Sequence, residues 1–97
     1  MIDLSEKHLN IVRDILKRYI SNYKVWAFGS RVTGKAKQYS DLDLAIISDR
    51  PLDFGLLGAM RDAFSESDLP FKVDLIDWAV TSREFQAIIK QSYEVIQ

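Results

Sequence analysis

The sequence predicts an α/β (α+β) fold in which a mixed β-sheet packs against helices in a single two-layer domain. Short, almost wholly apolar segments end at glycine or polar residues, longer segments carry apolar residues at helical spacing, and short connections join them. A chain of 97 residues is long enough to bury a core without covalent crosslinks. We therefore expect one domain over residues 1–97, with the strand order left open.

The first helix is predicted from Ser5 to about Tyr23, where apolar residues recur every three or four positions. Asp3 followed by Glu6 is typical of a capping box at its start. The apolar stripe is wider than a narrow seam, which indicates deep burial or a second contact surface, and we favour burial. His8, the only histidine, falls on this helix and is expected at the surface.

Two more helices are predicted from the same spacing. One follows the break at Asp49-Arg50-Pro51, although glycines within it weaken the helical pattern. The other begins near Thr81, which forms a second capping box with Glu84, and its apolar spacing continues to Ile96.

Three strands are predicted between these helices. Lys24 to Gly29 is apolar at nearly every position, as in a strand covered on both faces. Asp41 to Ser48 begins with alternating polar and apolar residues and then becomes wholly apolar, and Phe71 to Trp78 forms the third strand. Trp26 and Trp78 are assigned to the core, with Trp78 a more distant candidate for stacking on a nucleotide base. The predicted order is helix, strand, strand, helix, strand, helix.

Composition restricts the classes of function. Thirteen Lys and Arg against fourteen Asp and Glu give a net charge of −1, so the strong positive field of nucleic-acid-binding proteins is missing and no nucleic-acid partner is expected. The chain has no cysteine, no leader-like start and no long apolar run, which predicts a cytoplasmic protein without a membrane span.

The most informative segment is Gly29-Ser30, followed after ten residues by Asp41-Leu42-Asp43. Residues two apart in a strand lie on the same face about 6.5 Å apart, so the two aspartates project together and repel unless cations bridge them. A glycine-serine turn lets backbone amides approach an anion. The plain alternative is that Asp41 caps a turn and Asp43 is a solvated edge residue. Because both signals occur together, we favour a site for a nucleoside triphosphate with divalent metal.

A third carboxylate is expected from the last predicted strand. Asp74 is the better candidate because it lies between Val73 and Leu75, where an unpaired charge would be costly without a metal or partner. Asp77 lies at the strand end, where capping or solvation explains it.

Two basic residues follow the glycine-serine pair. Arg31 and Lys35 either contact the triphosphate or merely balance the charge of the nearby carboxylates, and both readings are kept.

These residues resemble a known pattern. A Gly-Ser pair, a spacer of this length, Asp-x-Asp and a third Asp on a later strand are the signature of the DNA polymerase beta-like nucleotidyltransferase superfamily. With its small size and Val73-Asp74-Leu75, the whole chain is similar to the minimal nucleotidyltransferase (MNT) family, which typically acts as antitoxin to a HEPN-domain toxin.

The resemblance implies a nucleotidyltransferase fold and a set of roles. Asp41, Asp43 and Asp74 would be the catalytic residues and would bind two Mg²⁺ ions, while Gly29 and Ser30, with Arg31 and Lys35, would bind ATP. AMP would pass to a hydroxyl, by analogy a tyrosine of a HEPN toxin partner, and pyrophosphate would leave.

Two alternatives stay open at this stage. In the first, the chain is a non-catalytic module that neutralises a partner by binding. In the second, it is a nucleotidyltransferase acting on a small molecule such as an aminoglycoside. The nucleotide base and the homo- or hetero-oligomeric state are not specified by the sequence.

Overall fold

A computed structural model describes residues 2–97. The elements follow one another along the chain as α1 (Glu6–Ile20), β1 (Lys24–Phe28), α2 (Ser30–Thr33), β2 (Leu42–Ile47), α3 (Phe54–Ser65), β3 (Val73–Asp77), a 3-10 turn (Trp78–Val80), α4 (Arg83–Gln91) and β4 (Tyr93–Val95). The three predicted strands and three predicted long helices are all present, and the predicted fold class is confirmed.

The sheet is mixed, with strand order β3-β2-β1-β4. β1 pairs antiparallel with β2 and with β4, whereas β2 and β3 run parallel. A parallel pair needs a crossover connection, and α3 provides it. The N-terminal ends of β2 and β3 therefore lie side by side, next to the C-terminal end of β1.

The two faces of the sheet are covered unequally. Alternate residues of each strand point to opposite faces. On one face, Val25, Leu44 and Leu75 pack with α1 and α3 in the main core. On the other face, Phe28 and Ala45 form a small cluster with Ile89 of α4, which is the only buried residue of that helix.

Two predicted helix caps were wrong. Ser5, not Asp3, caps α1, because its hydroxyl accepts a hydrogen bond from the His8 amide. Ser82, not Thr81, caps α4, and the Thr81 hydroxyl instead donates to the backbone carbonyl of Asp77.

The last helix also ends earlier than predicted. The chain leaves α4 after Gln91 and forms β4, in which Tyr93 pairs with Phe28 of β1. Ile96 lies seven residues after Ile89, and this spacing is also typical of a helix. A strand of only three residues is too short to show a clear alternating pattern in the sequence.

Three aromatic side chains lie between the core and surface positions predicted for them. Trp26 and Trp78 are half-buried and meet edge to face with ring centroids 5.3 Å apart. His8, expected at the surface, is half-buried edge-on against the Phe71 ring. Among the helices of residues 2–97, none is long and apolar enough to cross a lipid bilayer.

Candidate functional site

The turn after β1 is shaped by two glycines with positive φ. Gly29 has φ 79° and ψ −156°, a conformation that side chains disfavour, and its carbonyl accepts hydrogen bonds from the amides of Val32 and Thr33. Gly34, at φ 83°, ends the short helix α2. The sequence Gly29-Ser30 thus opens a helical turn directly at the end of a strand, as its pattern indicated.

Gly29 also makes room for a carboxylate. A Cβ atom added there would collide with the Oδ2 atom of Asp43, whereas one added at Gly34 would meet nothing within 4 Å. The absence of a side chain at Gly29 therefore allows the Asp43 carboxylate to lie against the turn, so the two halves of the sequence motif are in direct contact.

Parallel pairing brings the third carboxylate beside the second. Asp43 of β2 and Asp74 of β3 are register partners, so their side chains lie on neighbouring strands and on the same face, the one that α4 covers only in part. Asp41 precedes β2 by one residue and is exposed, as is Asp74, while Asp43 is half-buried. We refer to Asp41, Asp43 and Asp74 as the acidic cluster.

The acidic cluster is electrostatically unfavourable by itself. Burial raises the pKa of the Asp43 carboxyl above its usual value, and the negative charges of Asp74 and Asp41 raise this pKa further. A bound cation would oppose both effects, because it restores favourable interactions to the charged carboxylate.

The chemistry of this donor set fits Mg²⁺. Within residues 2–97, no group of three or more acidic, His or Cys side chains is arranged as a ready-made metal cage. Mg²⁺ does not need a complete protein cage, because it usually takes one or two protein carboxylates and completes its shell with water and substrate phosphates. Three neighbouring carboxylates, two of them exposed, suit such an ion.

Arg31 is not placed as predicted. Its side chain is 6% exposed, and its guanidinium donates to backbone carbonyl oxygens instead of facing the acidic cluster. These acceptors are the carbonyls of Asp3, Gln38 and Ser40. Lys35, by contrast, is exposed at the end of the turn, and only its backbone amide has an assigned role, as donor to the Ser30 carbonyl. The geometry leaves Lys35, and not Arg31, free to contact a phosphate.

Asp77 was expected to cap a turn or to be solvated, and its carboxylate does neither. It is 8% exposed, and its carboxylate accepts hydrogen bonds from the Ser48 hydroxyl at 2.5 Å and the Leu52 amide at 2.8 Å. Asp74 was expected inside the apolar strand and is exposed instead. Alternation explains both outcomes, because Val73, Leu75 and Asp77 point to the main core and Asp74 points to the other face.

A cavity of about 430 Å³ adjoins the acidic cluster. Gly29, Asp43 and Asp74 form one side, and Phe85 and Ile88 of α4 form part of the other. Both residues belong to the apolar helical spacing that predicted the last helix, yet Phe85 is 36% exposed and Ile88 is 58% exposed. An apolar stripe wider than so short a helix can bury was the signal that could have identified them.

A second cavity, of about 680 Å³, lies between α1 and α3 and contains none of the motif residues. We assign the site to the cavity of about 430 Å³ because Gly29, Asp43 and Asp74 line it.

Comparison with known proteins agrees with this geometry. The family described as the nucleotidyltransferase domain matches residues 6–97. The chain is 58% identical, over 99% of its length and 84% of the relative's, to the probable protein adenylyltransferase MntA of Haemophilus influenzae.

Solved structures show the same fold at low sequence identity. A toxin-antitoxin structure with AMP-PNP matches 92% of this chain and 72% of its own at a TM-score of 0.77 and 22% identity. A structure of the tri-AMPylated HEPN toxin of Shewanella oneidensis in complex with MNT antitoxin matches 97% of this chain and 72% of its own, with a TM-score of 0.71 and 20% identity. The resemblance inferred from the motif is therefore confirmed, and the chain belongs to the nucleotidyltransferase domain family.

Proposed function

We propose that this chain is a magnesium-dependent adenylyltransferase that transfers AMP from ATP to a tyrosine hydroxyl of a HEPN-domain toxin and so acts as an antitoxin in the cytoplasm. The observation that carries the proposal is the register pairing of Asp43 with Asp74, with the Asp43 carboxylate held against the Gly29 turn. The 58% identity to a probable protein adenylyltransferase supports a protein acceptor.

In this reaction the acceptor hydroxyl oxygen bonds to the α-phosphorus of ATP. The bond from that phosphorus to the oxygen bridging the α- and β-phosphates breaks, pyrophosphate leaves with the electron pair, and the hydroxyl proton passes to solvent. Such transfers depend mainly on positioning and on electrostatic stabilisation of the phosphates.

The residues of this chain would divide that work. Gly29 and Ser30 would hold the β- and γ-phosphates at the turn, with Lys35 close by as an exposed positive charge. Asp41, Asp43 and Asp74 would hold Mg²⁺, which supplies neutralisation of the charge that develops on the phosphate oxygens. Phe85 and Ile88 would give the cavity an apolar wall beside the carboxylates.

The test is transfer of label from α-³²P-ATP. The purified chain is incubated with Mg²⁺ and a candidate HEPN-domain partner protein, and we expect label on a tyrosine of that protein. Asp41→Ala combined with Asp43→Ala should abolish the transfer. An unlabelled partner with the wild type, or equal labelling by the double variant, would refute the proposal.

Binding without chemistry is the second candidate. Several large apolar side chains outside the core favour it, among them Phe54, which is 89% exposed, and Ile88. The wide apolar stripe of α1 gives it less support than the sequence suggested, because Ile15 is buried and Ile11 half-buried in the main core. If the double aspartate variant still neutralises the partner and leaves it unlabelled, this candidate replaces the first.

A further inference from the structure

We propose that Arg31 is a positioning residue that fixes where the acidic cluster stands, although it does not touch the nucleotide. The proposal rests on the function proposed above. The Arg31 side chain is almost fully buried, and within residues 2–97 its guanidinium contacts three backbone carbonyls and one aromatic ring.

The first contact is with the segment that leads into β2. Arg31 Nε donates to the Ser40 carbonyl at 2.9 Å, and Nη2 donates to the Gln38 carbonyl at 3.1 Å. Ser40 directly precedes Asp41. Residues 35–41 form no helix or strand, only a local turn in which the Lys37 amide donates a hydrogen bond to the Ser40 hydroxyl. The guanidinium therefore fixes the backbone immediately before the exposed carboxylate of Asp41.

The second contact is with the segment that leads into β3. The guanidinium carbon of Arg31 lies 4.2 Å from the centroid of the Phe71 ring, a cation–π distance. Phe71 is buried three residues before Asp74, and the intervening Lys72 carbonyl accepts a hydrogen bond from the Leu42 amide at 2.9 Å. One side chain thus contacts both segments that deliver carboxylates to the site.

The third contact ties the same side chain to the start of the chain. Arg31 Nη1 donates to the Asp3 carbonyl at 2.9 Å, and the Arg31 carbonyl accepts from the Asp3 amide at 2.6 Å. A buried positive charge is costly unless it is well hydrogen-bonded, and the planar fork of arginine satisfies three carbonyls at once. Lysine carries the same charge as a single point and does not reproduce this geometry.

Arg31→Lys is the decisive variant, with Lys37→Met as the control that removes an exposed positive charge from the same loop. We expect Arg31→Lys to bind the unreactive analogue AMP-PNP within about twofold of the wild type while kcat falls about tenfold to a hundredfold, as a misplacement of about 1 Å produces. Amide hydrogen exchange over residues 37–42 should become faster. The control should match the wild type in every measurement.

Three results would overturn the proposal. One is a folded Arg31→Lys protein with unchanged kcat. Another is a raised KM for ATP at unchanged kcat, which indicates direct nucleotide contact. The third is a fall in activity that only follows the unfolded fraction and disappears on cooling. If Arg31→Lys does not fold, Phe71→Leu removes the ring contact to Arg31, together with the edge contact to His8, and keeps the three carbonyl contacts of Arg31. The same measurements apply to it with a smaller expected change.

Failure of the proposed function is distinguishable from failure of this inference. If the wild type transfers no label, the proposed function is refuted, and positioning is then judged by hydrogen exchange over residues 37–42. Faster exchange in Arg31→Lys supports it, and unchanged exchange refutes it.

Discussion

Asp74 and Asp77 lie three residues apart on one strand and have opposite environments. Asp77, at the C-terminal end of β3, is buried and bound by the Ser48 hydroxyl and the Leu52 amide. Asp74, at the N-terminal end, is exposed beside Asp43 and raises the pKa of that carboxyl. One carboxylate is surrounded by donors and the other by further negative charge.

The difference separates a carboxylate held by hydrogen-bond donors from the carboxylate that we propose is functional. A buried carboxylate with hydrogen-bond donors contributes to stability, whereas a group of like charges reduces it until a ligand binds. Proteins accept such local cost at functional sites. The two ends of the β2–β3 pair should therefore respond to mutation in opposite ways.

The largest expected effect is on activity at the Asp74 end. Asp74→Asn removes a negative charge from the acidic cluster and should lower the rate of AMP transfer on the order of 10²–10³-fold, the range seen when one electrostatic contact of a transition state is lost. Thermal unfolding should show a Tm equal to or above that of the wild type, because repulsion is relieved. A lowered Tm would show that Asp74 also has a structural role.

The next effect is on stability at the Asp77 end. Asp77→Ala removes two hydrogen bonds to a buried carboxylate and leaves the half-buried Leu52 amide without its acceptor, which should cost about 3 kcal/mol in the free energy of unfolding. Asp77→Asn keeps one acceptor and should cost less. Urea unfolding measures both, and the transfer rate per folded molecule should stay near that of the wild type. A large loss of that rate would contradict the separation of a structural end from a functional end in the β2–β3 pair.

A glycine pair tests how closely the site end is packed. Gly29→Ala places a methyl group against the Asp43 carboxylate in a backbone conformation unsuited to alanine, and we expect a loss of about 2 kcal/mol together with weaker transfer. Gly34→Ala also adds a side chain at positive φ but in open space. It should lose stability alone, so equal activity losses in the two variants would exclude a specific contact at Gly29.

The smallest effect is the dependence of stability on pH. The pKa of Asp43 is raised above 3.8 in the folded protein, so between 3.8 and the raised value the folded chain binds more protons than the unfolded chain. The contribution of Asp43 is then most favourable below 3.8 and is lost as the pH rises through its folded pKa. Asp43→Asn should be more stable than the wild type near neutral pH, and the difference should shrink towards pH 3.8.

Urea midpoints measured across this pH range in the absence of Mg²⁺ provide that comparison. Asp68→Asn, an exposed acid outside the acidic cluster, is the matched control and should show no such trend. If Asp43→Asn and Asp68→Asn behave alike, the repulsion inferred at the acidic cluster is absent.

The sequence predicted most of the elements because their signals are local. Helical spacing identified α1 and α3. The alternation from Asp41 onward identified β2 and the two carboxylates, Asp41 and Asp43, at its N-terminal end. The third carboxylate was identified for a mistaken reason, since Asp74 is exposed and not enclosed by its apolar neighbours.

What the sequence did not predict depends on contacts between distant segments. The burial of Asp77 requires Ser48 from the end of the neighbouring strand, and the placement of Arg31 requires Asp3 and Phe71. β4 is a strand only because β1 offers it an edge. Such partners are not visible in any single window of sequence.

The parallel pairing of β2 and β3 has a consequence for the order of assembly. The antiparallel β1–β2 hairpin joins Gly29 to Asp43 through neighbouring segments, but Asp74 arrives only after the chain has crossed over by way of α3. Closing that crossover costs conformational entropy before the β2–β3 hydrogen bonds and packing contacts form, which makes it a slow step in folding. A nascent chain that has emerged only as far as β2 would display the recognisable motif and yet be inert, so the onset of transfer would mark the completion of folding.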